Sequence, residues 1–335
     1  MSTGSSTPLW VGFIPVVRRV ELRLALVNIE PLRIGAGRSA SPASPADLPL
    51  LRERVHLGDG RIYELPVIPG SSLKGVLRTA SMTVARTCGL RAHSGVEDNC
   101  VEELCGDSHV FDKVRDPRGR ASSDVVRRVI LGFCPLCQLY GAPSLSSRIT
   151  VSEFVPASPE VRTGIKTGVA IDRRKGTAAT ERRALYNVEY VEPGTVFKGT
   201  LRLVNTPNWM LSLLAASLTL LDEGWVKIGG FKSRGMGLVS VARESLILRV
   251  HGHVKGNVLD VLDAEVDEEE ELEGCTAAAG GLECSGEAAY GALGRLAASW
   301  SRYCSRLAKA LEKRTKEAAS LCTFYAGDTG WGEGA

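Results

Sequence analysis

The chain has 335 residues, 44% of them hydrophobic and 24% charged, the composition of a soluble globular protein of one large domain or two modest ones. The formal charge of +3 hides an asymmetry, since residues 260–273 hold nine acids and no Lys or Arg, leaving a strongly basic remainder. An acidic appendage on a basic body points toward nucleic acid. The longest apolar run, the 13 residues Trp209–Leu221, is too short to span a bilayer, so no membrane segment is expected.

In chain order, Val20, Leu22, Leu24 and Leu26 alternate with polar residues, as a half-buried strand does. Residues 31–66 read as a long loop holding a short hairpin, with 36–66 inserted into the core. Ser71 and Ser72 then open a helix and offer an N-cap hydroxyl. Leu73, Val76, Leu77, Ala80 and Val84 give that helix one apolar face. Residues 88–140 carry most of the early cysteines and are too long for a simple connection, which predicts a small subdomain.

Strands are predicted over 147–155 and 195–204. Between them, residues 161–188 carry seven basic residues against two acids, with no apolar period. Pro207-Asn208 starts a second helix that ends at Gly224, and a last strand covers 238–250. The resulting order, β-α-β-β-α-β, is the ferredoxin-like (RRM-like) arrangement of the α+β class, with a core over 15–250. Residues 251–335 read as an acidic linker followed by a helical extension, whose Leu293, Leu296, Trp300, Cys304, Leu307 and Leu311 are spaced for packing.

Two basic stretches suit phosphate. Gly229, Gly230, Gly235 and Gly237 crowd a nine-residue window that also holds Lys232, Ser233 and Arg234. Main chain with few Cβ atoms can approach a polyanion closely, and Arg adds a bidentate fork. The loop runs from helix to strand, the reverse of a Walker loop or dinucleotide fingerprint, so a sugar-phosphate backbone is the expected ligand. Lys74 and Arg78 lie four apart on the predicted exposed face of the first helix. Its first turn adds free N–H groups and the Ser71 and Ser72 hydroxyls.

Five of the nine cysteines fall at or before residue 137, in a cluster that suits metal in a reducing cytosol better than a disulfide framework. Cys134-x2-Cys137 has the bite of a zinc knuckle. Cys100 and Cys105 are the expected partners, with His93 or His109 able to replace one of them. Such zinc is structural, tying an insertion poor in apolar residues. A redox Cys-Pro-x-Cys and two free buried cysteines are the competing readings.

Four stretches carry a resemblance. Leu32-Arg33-Ile34-Gly35-Ala36-Gly37, the segment Leu65-Pro66-Val67-Ile68-Pro69-Gly70-Ser71-Ser72-Leu73-Lys74-Gly75-Val76-Leu77-Arg78, Phe133–Gly141 and Gly229–Gly237 resemble motifs of the RAMP superfamily of CRISPR-associated RNA-binding proteins. The pattern is most similar to the repeating backbone subunit of type III-A (Csm) effector complexes. That resemblance implies binding of guide crRNA by the glycine loop, Arg33, and the first turns of the helix. It also implies a thumb-like basic hairpin over 156–192 that includes Arg173 and Arg174. Asp47, twelve residues after Gly35, matches the aspartate of cleaving members, and implies metal-assisted cutting of paired target RNA with an ion such as Mg2+. The implied partners are target RNA, other type III subunits and further copies along the guide, in the cytoplasm. A non-catalytic single-stranded-RNA scaffold and a guide-processing ribonuclease are the alternatives. The C-terminal 85 residues lie outside the resemblance.

Overall fold

Val20, Leu22, Leu24 and Leu26 turn inward along β1 (Arg19–Asn28), as their alternation requires. The computed structural model describes residues 8–36, 46–95, 97–106, 123–169, 185–278 and 280–327. After β1 come a hairpin, β2 (Arg52–His56) and β3 (Ile62–Pro66), then helix α1 (Gly70–Thr87). The cysteine-bearing insertion contributes α2 (Cys100–Cys105), α3 (Ser123–Leu131) and α4 (Pro135–Tyr140). The chain then forms β4 (Ile149–Val151) and β5 (Val155–Pro156), the ribbon β6 (Thr163–Val169) with β7 (Leu185–Val191), and β8 (Val196–Val204). Helix α5 (Asn208–Asp222) precedes β9 (Val239–Val241) and β10 (Ile247–His251).

In the sheet, β10, β1, β8 and β4 lie side by side, every pair antiparallel. Counting only core strands, that is the order fourth, first, third, second of a ferredoxin-like unit, so the α+β expectation holds. Leu22 stands opposite Leu201 on one side and Leu248 on the other, and this apolar row meets Leu211, Leu214 and Leu218 of α5. Alternation sends Glu21, Arg23, Arg202 and Arg249 to the opposite face, where Glu21 bonds Arg23 at 2.6 Å and Arg202 at 3.0 Å. The expected last strand is split into β9 and β10 by a single 3-10 turn at Arg243–Ser245. The strand expected over 147–155 is likewise split, because Ser152 turns its hydroxyl back to accept the Thr200 amide at 2.9 Å.

Residues beyond 251 are built into this core. They form the small sheet β11 (Val254–Lys255), β12 (Val258–Leu259) and β13 (Glu270–Glu271), and then β14 (Thr276–Ala278) and β15 (Gly281–Ser285), which extend the main sheet beside β10. The last helix, α6 (Gly286–Gly327), lies on α5, and the Ser212 hydroxyl donates to the Leu296 carbonyl at 2.6 Å. The acidic run expected as a linker is instead a set of internal anchors. Asp263, 1% exposed, takes a two-pronged bond from Arg314 of α6 at 2.7 and 2.9 Å. Glu270 accepts from Tyr303 and Arg302 at 2.6 and 2.7 Å. Asp267 accepts the Asn208 and Trp209 amides, both at 3.0 Å, satisfying the buried first amides of α5 from a distant segment.

The expectation that the five early cysteines suit metal better than disulfides is corrected at Cys88 and Cys105. Six of the nine form pairs, Cys88–Cys304, Cys105–Cys322 and Cys275–Cys284. The first two join α6 to the end of α1 and to α2, contacts between segments more than 200 residues apart that no local spacing reveals.

Candidate nucleic-acid interface and metal centre

Three sequence-predicted groups come together at the end of β1. The segment Pro31–Ile34 that leaves β1 is the floor on which the glycine loop lies, with the Gly230 amide donating to the Arg33 carbonyl and the Gly237 amide to the Pro31 carbonyl, both at 2.9 Å. A Cβ at Gly229, where φ is +79°, would stand 2.3 Å from the Arg33 carbonyl oxygen, so only glycine permits this approach. The two glycine motifs, some 190 residues apart in sequence, are thus one packed unit. Lys232, Ser233 and Arg234 form a single 3-10 turn at its crest, all exposed. Lys227 is neutralised by Glu30 at 2.8 Å, so the loop's outward charge comes from Lys232 and Arg234.

The ribbon of β6 and β7 rises beside this loop, and Arg173 and Arg174 lie outside the described residues. Tyr186 of β7 accepts a hydrogen bond from Arg234 at 2.5 Å and sits 6.3 Å from the Phe231 ring. Its neighbour Asn187 donates its amide to the exposed Asp47 carboxylate at 2.8 Å. Leu48 continues that pairing, its amide on the Asn187 carbonyl at 3.0 Å, and the buried Glu189 carboxylate takes the Leu50 amide and the Arg52 guanidinium. Asp47 and Arg234 are therefore both fastened to adjacent residues of one strand. Phe231, Tyr186 and Asn187 were not among the expected site residues. The signal that could have found them is the aromatic beside the basic glycine run.

The α1 expectations need correction. Ser71 and Ser72 do not cap the helix: Pro69 is the N-cap residue, and no side chain bonds the first turn. Arg78 does not point outward. It is half-buried and donates to the Gly141 carbonyl at 3.0 Å, with its other nitrogen near the Cys137 sulfur at 3.9 Å. The facing cysteine subdomain explains this, since it covers that side of α1. Lys74 is half-buried too, and burial, with the nearby Arg78 charge, holds its ammonium below the usual lysine range.

Arg78 borders the one group of three or more metal-ligating side chains among the described residues. His93, Cys100, Cys134 and Cys137 are buried, with ligand atoms all within 4.8 Å of one another. Cys134 starts α4 and Cys100 starts α2, so two helix N-termini converge on the sulfurs. The Cys134 amide donates to the Cys100 sulfur at 3.0 Å, and the Cys137 amide to the Cys134 sulfur at 3.4 Å. Burial opposes ionisation of Cys134, but hydrogen bonds from Cys100, Cys137 and His93 outweigh it and hold that thiol low. His93 presents Nδ1 to the Cys100 sulfur at 3.2 Å while Nε2 meets Glu103 at 2.5 Å, the carboxylate–histidine support common around zinc. Three sulfurs and one imidazole in a closed, buried set fit a structural tetrahedral ion such as zinc. Cys105, the expected fourth ligand, is drawn away to Cys322, and His93 takes its place. His109 lies outside the described residues.

A ferredoxin-like α+β unit with a basic glycine loop before its last strands and a Cys3His centre defines the general class. The family follows from comparison: residues 26–240 match the RAMP superfamily, and the chain belongs to it. RAMP proteins bind RNA and work in CRISPR complexes. No curated protein matches the chain. No helix of the described residues is long and apolar enough to cross a membrane.

Proposed function

We propose that this chain is a backbone subunit of a type III-A CRISPR effector complex, which holds guide crRNA and cuts the paired target RNA with Asp47. The observation that carries the reading is the attachment of Asp47 and Arg234 to adjacent residues of β7, Asn187 and Tyr186. An acid for chemistry and a cation for phosphate stand on one patch. Guide RNA lies along Arg33, Gly229, Gly230, Lys232, Ser233, Arg234 and Gly235, and extends to Ser71, Ser72 and Lys74 at the start of α1. The ribbon supplies Arg173 and Arg174. Other type III subunits and further copies of the chain continue the groove.

The Asp47 carboxylate has one oxygen held by the Asn187 amide, and it belongs to no group of three or more metal-ligating side chains among the described residues. A lone carboxylate suits Mg2+, which keeps much of its water and takes phosphate oxygens from its substrate. Such an ion, when bound, polarises the scissile phosphoryl group. Asp47 orients it, and β7 fixes Asp47 against the RNA-binding loop.

The test is Asp47→Ala in the assembled complex. Guide binding stays as in the wild type, and target cutting falls by about two orders of magnitude or more, the scale of losing one catalytic group. Cutting at the wild-type rate would remove Asp47 from the mechanism, and an assembled wild-type complex that binds target without cutting it would favour a non-catalytic RNA scaffold. Specific cutting of a repeat RNA by the chain alone would favour a guide-processing ribonuclease.

A further inference from the structure

Phe231 is the anomaly of the glycine loop. Its φ is +58°, in the left-handed region that a bulky side chain enters only at a cost in backbone strain. Glycines lie on either side in the sequence at 229, 230 and 235, so a loop built only for close approach would carry glycine here too. The aromatic ring must do something that a hydrogen cannot.

What the ring touches gives the answer. The Arg33 guanidinium carbon lies 5.4 Å from the ring centroid and that of Arg234 lies 5.2 Å from it. Both distances are within cation–π range. Neither arginine has an acidic partner among the described residues. The Arg234 side chain donates to the Tyr186 hydroxyl. Arg33 is more unusual: it is half-buried, and its Nε is sealed from solvent with no acceptor. Its guanidinium is seated over Gly35, where a Cβ would stand 2.7 Å from the nearest guanidinium nitrogen. Burial alone pulls its pKa below the usual arginine range. A half-buried guanidinium with no carboxylate beside it is a costly arrangement unless an anion completes it.

We propose that Arg33 and Arg234 form a preformed clamp for one phosphodiester of the bound RNA, and that Phe231 is the positioning residue that holds both on its ring. The proposal rests on the RNA-binding reading above and specifies how that site grips its ligand. The ring fixes two long side chains before RNA arrives, so less conformational freedom is lost on binding. The backbone strain at Phe231 is the stability given up for that order.

The experiment uses the full chain and a single-stranded oligoribonucleotide, with Phe231→Gly, Phe231→Tyr, and Phe231→Gly again in an Arg33→Ala/Arg234→Ala background. Glycine relieves the left-handed strain, so the melting temperature rises or stays level while affinity falls roughly 3- to 10-fold, the worth of ordering one or two side chains. Tyrosine keeps the ring and keeps wild-type affinity. In the double-alanine background the glycine substitution has no further effect, because the ring has nothing left to position. Unchanged affinity in Phe231→Gly overturns the clamp. An equal loss in the double-alanine background also overturns it, since the ring would then be meeting RNA directly, as a base-stacking surface does. A wild-type chain that binds no RNA overturns the RNA-binding reading, and the clamp with it.

Discussion

Asp267 spends its carboxylate on four backbone amides, those of Asn208, Trp209, Leu262 and Asp263. Burial nevertheless wins, and its pKa is pushed up from the ordinary 3.8 to about 6. An acid whose native pKa exceeds its unfolded one keeps a proton that the unfolded chain has already lost. Its contribution to stability is therefore greatest below pH 4 and declines as pH rises to about 6. The slope is at most about 1.4 kcal/mol per pH unit for one group. Asp267→Asn removes that component, so urea midpoints of wild type and variant, compared from pH 4 to 7, should converge or cross as pH rises; parallel curves would assign the pH dependence elsewhere. None of this was legible in the sequence. Nine acids in a row of fourteen residues look solvated, and composition does not say which three meet a buried amide end, an Arg314 or a Tyr303.

At the scale of elements, the periodic segments were legible and the cross-chain ones were not. The β1 alternation, the apolar face of α1 and the α5 run lie where the apolar residues put them, because β1 and α1 each bury one face against the core and α5 is buried on nearly every side. The strands β14 and β15 carried little such signal: Thr276–Ala278, at the sheet edge, is exposed throughout, and β15, between β14 and β10, turns only Leu282 and Cys284 inward. Half of the candidate metal centre was readable from Cys134-x2-Cys137, but the choice between Cys105 and His93 depended on Cys322, which α6 brings in from 217 residues away. The site predicts an equimolar zinc content by metal analysis. Cys134→Ser should lose that metal and lower the melting temperature by several degrees, at about 2 °C per kcal/mol for a chain of this length. Retained zinc with an unchanged melting curve would show that the four side chains do not form the centre.

Across the whole molecule, the family match stops at residue 240, inside β9, yet the fold does not. The fourth core strand β10, its neighbour β15 and the helix against α5 all come later in the chain. The region recognisable by ancestry is thus smaller than the cooperative unit. Expressing residues 26–240 alone would delete Arg19–Ala25 of β1 along with β10, bare the β8 edge from Lys198 to Val204 along its main-chain N–H and C=O groups, and uncover Leu214 and Leu218 of α5. An unprotected sheet edge beside a denuded apolar helix is a template for aggregation, so that trimmed fragment should partition into the pellet while the 335-residue chain stays in the supernatant.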